Sequence, residues 1–134
     1  MPEFQQRGAE IVGCSIDSQY SHKAWNDIAR NKGGIAGVNV PLLADVTKQI
    51  SRDYGVLDEA KGIALRGTFI INDAGTVVSE TVNFFPVGRN VEEALRTVDA
   101  FQEAAKGVVC PMGWTKGKEA INPKEAGKYF EKIK

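Results

Sequence analysis

The spacing of apolar and polar positions divides the chain into short strand-like and helix-like segments. The longest strand signal covers residues 62–83, where an apolar run rich in aromatic and β-branched residues reaches the turn residues 72–75 and an alternating segment returns. Gly75 can adopt the positive φ that such a turn requires. This segment predicts a β-hairpin whose first strand is buried on both faces.

The residues before the hairpin alternate between the two kinds of pattern. The apolar spacing and the capping residues predict strands and helices in alternation. In chain order we expect a strand over 9–16, a helix over 19–31 capped by Asp17 and Ser18, a strand over 40–43, and a helix over 46–54 between Asp45 and Gly55.

The residues after the hairpin form one helix and then lose their periodicity. Asn90 is a suitable N-cap for a helix that extends to about residue 106 with one apolar face. From residue 107 to 134 the pattern predicts a polar, extended arm with a short helix at Tyr129 and Phe130, whose large side chains need a surface outside the main core. We therefore expect a core over 1–106 and a C-terminal arm over 107–134.

The first residues indicate that the fold is incomplete at the N-terminus. Residues 2–8 have the pattern of the last turns of a helix that ends at Gly8. The order of the later elements matches the second part of a thioredoxin-type α/β sandwich. We expect a missing β-α unit, whose strand would lie between the strand over 9–16 and the strand over 67–71, and whose absence leaves both edges unpaired.

Composition narrows the classes of function. The 134 residues fit one domain, and 17 Lys and Arg balance 17 Asp and Glu, which argues against a nucleic-acid or membrane-surface binder held by charge. No apolar run approaches the roughly 20 residues of a membrane span, and the N-terminus lacks a signal-peptide core. We expect a soluble, cytoplasmic protein whose partner is a small molecule or another protein.

Few side chains offer catalytic chemistry. Cys14 and Cys110 lie far apart and have no metal-binding spacing, so neither a metal nor a cofactor is expected. Cys14 falls inside the first strand, where a buried, unreactive thiol is expected.

Arg66, at the entrance of the hairpin, could stabilise an anion or form a surface ion pair, and the sequence leaves both open. His22, at a helix start, has no nucleophile beside it in the sequence and is expected to be structural or at an interface.

The segment Gly107–Trp114 resembles the resolving-cysteine segment of typical 2-Cys peroxiredoxins, the VCPxGW pattern. Further stretches resemble the same family in the same order, and the resemblance extends over nearly all residues. These stretches are 15–25, 41–45, 53–57, 62–67, 82–83 and 86–89.

The resemblance implies a thioredoxin-like α/β fold and a thiol peroxidase that reduces hydrogen peroxide and alkyl hydroperoxides. It implies that Cys110 is the resolving cysteine, that Arg66 activates the attacking thiolate and the peroxide, and that Arg89 is a second, weaker arginine of the same site. The implied partners are a thioredoxin-like reductant and further copies of the chain. These copies would form a dimer through the hairpin edge at 80–83 and the arm, with a decamer as the larger assembly.

One family motif is absent. The PxxxTxxC motif of the attacking, or peroxidatic, cysteine would lie before residue 1, so we expect the chain alone to be inactive. An alternative is a truncated peroxiredoxin that acts only as an assembly or binding piece. A third possibility, a general thioredoxin-fold protein with another use for its arm, fits the ordered motifs poorly.

Two further stretches resemble elements that favour over-oxidation in some family members. Residues 33–37 resemble the GGLG loop, and Tyr129-Phe130 resembles the YF pair of the C-terminal helix. The alternative is a helix-terminating loop and an ordinary packing pair.

Overall fold

A computed structural model describes residues 1–134 as an α/β protein of short elements. The helices are α1 (Pro2–Gln5), α2 (Gln19–Asn26), α3 (Gln49–Asp53), α4 (Val91–Ala104) and α5 (Ala126–Phe130). The strands are β1 (Gly13–Ser15), β2 (Leu42–Ala44), β3 (Leu57–Asp58), β4 (Ile63–Ala64), β5 (Arg66–Ile71) and β6 (Val77–Asn83). Single 3₁₀ turns occupy Arg30–Lys32 and Pro123–Glu125.

The chain forms two compact units. The strand unit comprises residues 10–89 and holds all six strands with α2 and α3. The helical unit comprises residues 1–9 and 90–134 and holds α1, α4 and α5. The sequence predicted a different division, into a core over 1–106 and a C-terminal arm over 107–134. This division stays a prediction.

The strand unit contains three separate two-stranded sheets. β1 pairs in parallel with β2, β3 pairs antiparallel with β4, and β5 pairs antiparallel with β6. Each strand therefore has one edge without a hydrogen-bonded neighbour, as expected for the strands at the start of the chain and at the hairpin. No strand connects β1 to β5.

The predicted hairpin is confirmed as β5 and β6. Gly75 has φ +78°, and the Asn72 side-chain oxygen accepts hydrogen bonds from the N–H groups of Ala74 and Thr76. The expected burial of β5 on both faces is wrong, because its four central residues are only half-buried and its two end residues are exposed.

Several predicted elements are shorter in the structure. The strand expected over 9–16 is limited to Gly13–Ser15, because only β2 is available to pair with it. The helix expected to reach residue 31 ends at Asn26, because the Trp25 and Ile28 carbonyls accept from the N–H groups of Ile35 and Ala36 in the following loop. Ser18 caps α2 as predicted. The short β3–β4 pair was not predicted, since two-residue strands carry almost no periodicity.

Asp45 organises the start of α3 and is almost completely buried, at 3% exposure. Its Oδ1 accepts from the N–H of Ile50 at 3.0 Å, and its Oδ2 accepts from the N–H and hydroxyl of Ser51 at 2.8 and 2.7 Å. Desolvation alone would raise the pKa of Asp45, but the hydrogen bonds from Ser51 and then Ile50 outweigh it and lower this pKa. The carboxylate thus caps the N-terminus of α3 from outside the helix. The predicted start of this helix at Val46 is wrong, because its first residue is Gln49.

Replacing Asp45 with alanine should strongly destabilise the chain. The two buried donors of Ser51 and the partly buried N–H of Ile50 lose their acceptor, and we expect the free energy of unfolding to fall by about 2–3 kcal/mol in a urea titration at neutral pH. Ser51→Ala is the matched control, because it removes one donor together with one bond and should cost only about 1 kcal/mol.

The same titrations at lower pH provide a second check. Because the pKa of Asp45 is lower in the folded chain than in the unfolded one, its stabilisation is present above about pH 4 and is lost as the pH falls through the folded pKa. The stability difference between the parent chain and Asp45→Ala should therefore shrink below about pH 4. A difference that stays constant at acid pH would contradict the assignment.

The helical unit is built on α4, which Asn90 caps by accepting from the N–H of Glu93, as predicted. Val98 of α4 and Trp114 of the following segment are its buried apolar residues, at 9% and 3% exposure. The arm that carries Trp114 was expected to need a surface outside the main core, but Trp114 is buried within the helical unit. None of the five α-helices has the length and hydrophobicity of a membrane span.

Candidate active site

Arg66 and Arg89 converge on the first residues of β5. Arg66 begins this strand, and its Nε donates to the carbonyl of Phe85 at 3.4 Å. Arg89 lies at the end of the loop after β6, and its Nε donates to the carbonyl of Gly67 at 2.9 Å. The loop is fixed by Asn83, whose side-chain amide donates to the Gly88 carbonyl at 3.1 Å. The hairpin and its exit loop thus hold Arg89 on the carbonyl of the residue that follows Arg66.

Neither arginine is neutralised by a carboxylate. No Asp or Glu oxygen lies within 4 Å of a nitrogen of Arg66 or Arg89. The surface ion pair that the sequence left open for Arg66 is therefore not formed. Two exposed, uncompensated guanidinium groups can stabilise an anion or a developing negative charge.

A third cation lies over the aromatic residues of the same loop. The Lys61 Nζ is 4.9 Å from the ring centre of Phe85 and 5.6 Å from that of Phe84. The two rings are 4.7 Å apart and tilted, and a cation within about 6 Å of an aromatic face is attracted to it. Lys61 therefore adds positive charge to the loop whose Phe85 carbonyl accepts from Arg66.

Cys110 lies in the helical unit, whereas the two arginines belong to the strand unit. After Gly107, at φ +89°, the chain leaves α4, and the backbone N–H and C=O groups of Val109 pair with those of Ile121 at 2.8 Å. The half-buried Cys110 Sγ donates to the carbonyl of Ala100 on α4 at 3.4 Å. The thiol is not paired with another cysteine.

Arg96 is a residue of this neighbourhood that the sequence analysis missed. Its guanidinium binds the Glu93 carboxylate through two bonds of 2.7 Å and donates to the Trp114 carbonyl at 2.9 Å. The pKa of Arg96 is raised, chiefly by the hydrogen bonds to Glu93, with the charge of Cys110 as the smallest contribution. A thiolate at Cys110 would thus have a nearby cation. The i, i+3 spacing of Glu93 and Arg96 was a usable signal.

Cys14 differs from its sequence-based description. It was expected to be a buried core thiol, but it is exposed, because β1 is three residues long and nothing in the strand unit covers that side of the strand. Partial desolvation, followed by the negative charge of Asp45, raises the pKa of Cys14. Both effects disfavour the thiolate, so the expectation that Cys14 is not an activated nucleophile stands.

His22 is buried and has a partner that the sequence did not reveal. Its Nε2 lies 2.9 Å from the Ser15 hydroxyl, which itself donates to Asp17 at 3.2 Å. The buried Nδ1 has no hydrogen-bond partner. Because no carboxylate orients the ring at Nδ1, the Ser15–His22 pair lacks the third group that completes a nucleophile and base arrangement.

The two stretches linked to over-oxidation are each ordered in their own unit. Gly33 and Gly37 have φ +85° and +80°, and the Trp25 indole donates to the Gly33 carbonyl at 2.8 Å. Tyr129 and Phe130 of α5 contact each other edge to face with ring centres 5.6 Å apart. Their effect on oxidation stays a prediction.

The structure brings together no three His, Cys, Asp or Glu side chains that could hold a metal ion.

Comparison with known proteins decides the family. Residues 1–80 match the model of the AhpC/TSA family, and residues 94–132 match the model of the C-terminal domain of 1-Cys peroxiredoxin. The chain belongs to the AhpC/TSA family of peroxiredoxins. The resemblance found in the sequence is thereby confirmed, and so is the thioredoxin-like α/β fold.

Individual peroxiredoxins are similar over most of this chain. It is 53% identical to a thioredoxin peroxidase of Echinococcus granulosus, over 90% of this chain and 63% of that protein. It is 52% identical to peroxiredoxin-4 of Bos taurus, over 98% of this chain and 49% of that protein. The reduced 2-Cys peroxiredoxin of Plasmodium vivax is 41% identical with a TM-score of 0.92, over 97% of this chain and 68% of that one. The chain thus spans about half to two thirds of the length of these curated relatives.

Proposed function

We propose that residues 1–134 supply the resolving part of a 2-Cys peroxiredoxin, a thiol peroxidase that acts on hydrogen peroxide and alkyl hydroperoxides in redox homeostasis. The observation that carries this proposal is the pair of uncompensated arginines at β5, in a peroxiredoxin chain that also holds an unpaired thiol at Cys110. A peroxide attacked by a thiolate develops negative charge on the leaving oxygen. Arg66, assisted by Arg89, stabilises that charge.

The proposed reaction has two thiol steps. A peroxidatic thiolate attacks the peroxide, the O–O bond breaks, and a sulfenic acid and an alcohol or water form once the leaving oxygen takes a proton. The Cys110 sulfur then attacks the sulfenic sulfur, so that an S–S bond forms and water leaves. A thioredoxin-type dithiol reduces this disulfide and restores both thiols. In this scheme Cys110 has the resolving role, and the PxxxTxxC cysteine has the peroxidatic one.

The partners follow from the same proposal. The Cys110 sulfur meets the peroxidatic cysteine of another subunit, which requires a homodimer through the outer edge of β6 and the arm, and a decamer as the larger assembly. The exposed Val82 on β6, at 42% exposure, supports this edge as a contact. Two unpaired cysteines are typical of a reducing compartment, and we place the protein in the cytoplasm.

Peroxide consumption in the presence of thioredoxin, its reductase and NADPH tests the proposal. The chain alone should show no turnover, because it contains no PxxxTxxC cysteine, the pKa of Cys14 is raised, and the Cys110 thiol donates to the Ala100 carbonyl. A chimera, in which a peroxiredoxin β-α segment carrying PxxxTxxC is joined to Met1, should turn over. Turnover by the chain alone that is lost in Cys14→Ser would assign the peroxidatic role to Cys14 and overturn the proposal.

A second candidate is a non-catalytic assembly piece. The unpaired edges of β1 and β5, with exposed apolar residues such as Val12 and Ile71, favour docking onto another peroxiredoxin subunit. A chimera that forms dimers but never consumes peroxide would favour this candidate.

A further inference from the structure

Asp99 of α4 is a buried carboxylate with ion pairs to two other segments of the helical unit. Its side chain is 6% exposed. Arg7 donates to it from Nε and Nη2 at 2.7 and 3.0 Å, a two-pronged ion pair, and the Lys116 Nζ lies 3.7 Å from Oδ1. One carboxylate thus connects α4 to the N-terminal segment and to the segment that carries Cys110.

Arg7 is itself fixed, so its bond to Asp99 is directional. Its Nη1 donates to the carbonyl of Glu3 at 2.7 Å, and the Gln102 amide donates to the Arg7 carbonyl at 2.5 Å. The pKa of Asp99 is lowered, first by the hydrogen bonds of Arg7 and further by the charges of Arg7 and Lys116, against desolvation. The carboxylate therefore stays charged, and that charge attracts Lys116.

The docking site of Cys110 lies on the same turn of α4. Ala100, the next residue after Asp99, provides the carbonyl that accepts from the Cys110 Sγ, and Arg96 holds the Trp114 carbonyl. Lys116 follows Trp114 by two residues. The contacts of residues 96–100 thus hold the segment 110–116 on both sides of its buried tryptophan.

A thiol docked in this way must leave before it reacts. The Cys110 S–H group donates to the Ala100 carbonyl, and a thiolate, the form of the sulfur that attacks, would face the negative end of that C=O group. Reaction at Cys110 requires local opening of the segment, whose free energy depends on the contacts that hold it closed.

We propose that Asp99 is a positioning residue for Cys110, and that Arg7, Asp99 and Lys116 form a latch that holds the Cys110 segment against α4. The latch limits how often the Cys110 sulfur is available to a partner. Its role in disulfide formation rests on the proposed function, whereas its effect on thiol availability is measured on the chain itself.

The test is the rate at which Cys110 reacts with 4,4′-dithiodipyridine, a neutral disulfide. The 134-residue chain carries Cys14→Ser, so that Cys110 is the only thiol. Its thiolate attacks one sulfur of the reagent, a mixed disulfide forms, and 4-thiopyridone is released and measured by absorbance. We expect Asp99→Asn to react about tenfold faster, because the ion pairs no longer oppose the opening of the Cys110 segment. Arg7→Gln should change the rate in the same direction, and Lys116→Gln should do so less.

Three comparisons separate a latch from general destabilisation. Glu103→Gln breaks a surface pair with Lys106 on the same helix and should leave the rate unchanged. Asp99→Glu should restore most of the slow rate. Higher salt should accelerate the parent protein but not Asp99→Asn, because screening weakens only charged contacts.

The latch is overturned if Asp99→Asn reacts at the same rate as the parent chain. It is also overturned if the rate rises by no more than the increase in the unfolded fraction of Asp99→Asn, measured in urea. Should Asp99→Asn fail to fold, Arg7→Gln and the salt dependence of the parent decide, and a rate independent of salt overturns it. These outcomes do not depend on peroxide. An intact disulfide in a Cys110→Ser chimera would remove the proposed function and leave the latch in place.

Discussion

Cys110→Ser in the chimera abolishes the peroxide-induced dimer band on a non-reducing gel and the turnover supported by thioredoxin. The reason is chemical, because a serine hydroxyl cannot attack a sulfenic sulfur to form a disulfide. The first reaction with peroxide should keep its rate, since Cys110 is held on the Ala100 carbonyl and takes no part in it. Trapping of the sulfenic acid with dimedone measures that first step.

The matched control is Cys14→Ser in the same chimera. Cys14 is an exposed thiol with a raised pKa, and its loss should change neither the dimer band nor the turnover. If Cys110→Ser also eliminated sulfenic acid formation, Cys110 would be the attacking thiol, and the resolving role would be wrong.

Arg66→Met should slow the first reaction of the chimera with peroxide by about 100-fold, the usual effect of removing one stabilising donor from an active site. Methionine keeps the apolar stem of the side chain and removes the charge. The attacking thiolate loses its counter-charge, so its pKa should rise and the rate should shift to higher pH. Stopped-flow measurement of the first step against pH follows both effects.

Arg52→Met is the control for Arg66→Met. Arg52 is also an arginine of the strand unit, but its charge is paired with Glu59 at 2.8 Å on the surface. Its replacement should leave the first reaction unchanged. Arg89→Met should give a smaller loss than Arg66→Met. Equal rates for Arg66→Met and the parent would return Arg66 to a structural role.

The sequence predicted the elements whose signals are local. The turn at Asn72 to Gly75, the cap at Ser18, the cap at Asn90 and the helical ending at Gly8 are each encoded within a few residues, and each is present. The ordered motifs predicted the family for the same reason. Predicted lengths were less accurate, because a strand extends only as far as its partner, and β1 has only the three residues of β2.

Contacts between residues far apart in the chain could not be predicted from the sequence. Arg7 and Asp99 are 92 positions apart, and no periodicity connects them. Ser15 and His22 meet only because a helix follows directly after β1. The burial of Cys14 was predicted wrongly because the burial of a strand depends on the layer that covers it, which a single strand does not reveal.

Peptide mapping of the peroxide-treated chimera by mass spectrometry, without reduction, tests whether Cys110 is the resolving cysteine. We expect one disulfide-linked pair of peptides that joins Cys110 of one subunit to the PxxxTxxC cysteine of the other. A disulfide that contains Cys14 instead, or oxidised protein in which Cys110 remains an unmodified thiol, would contradict it.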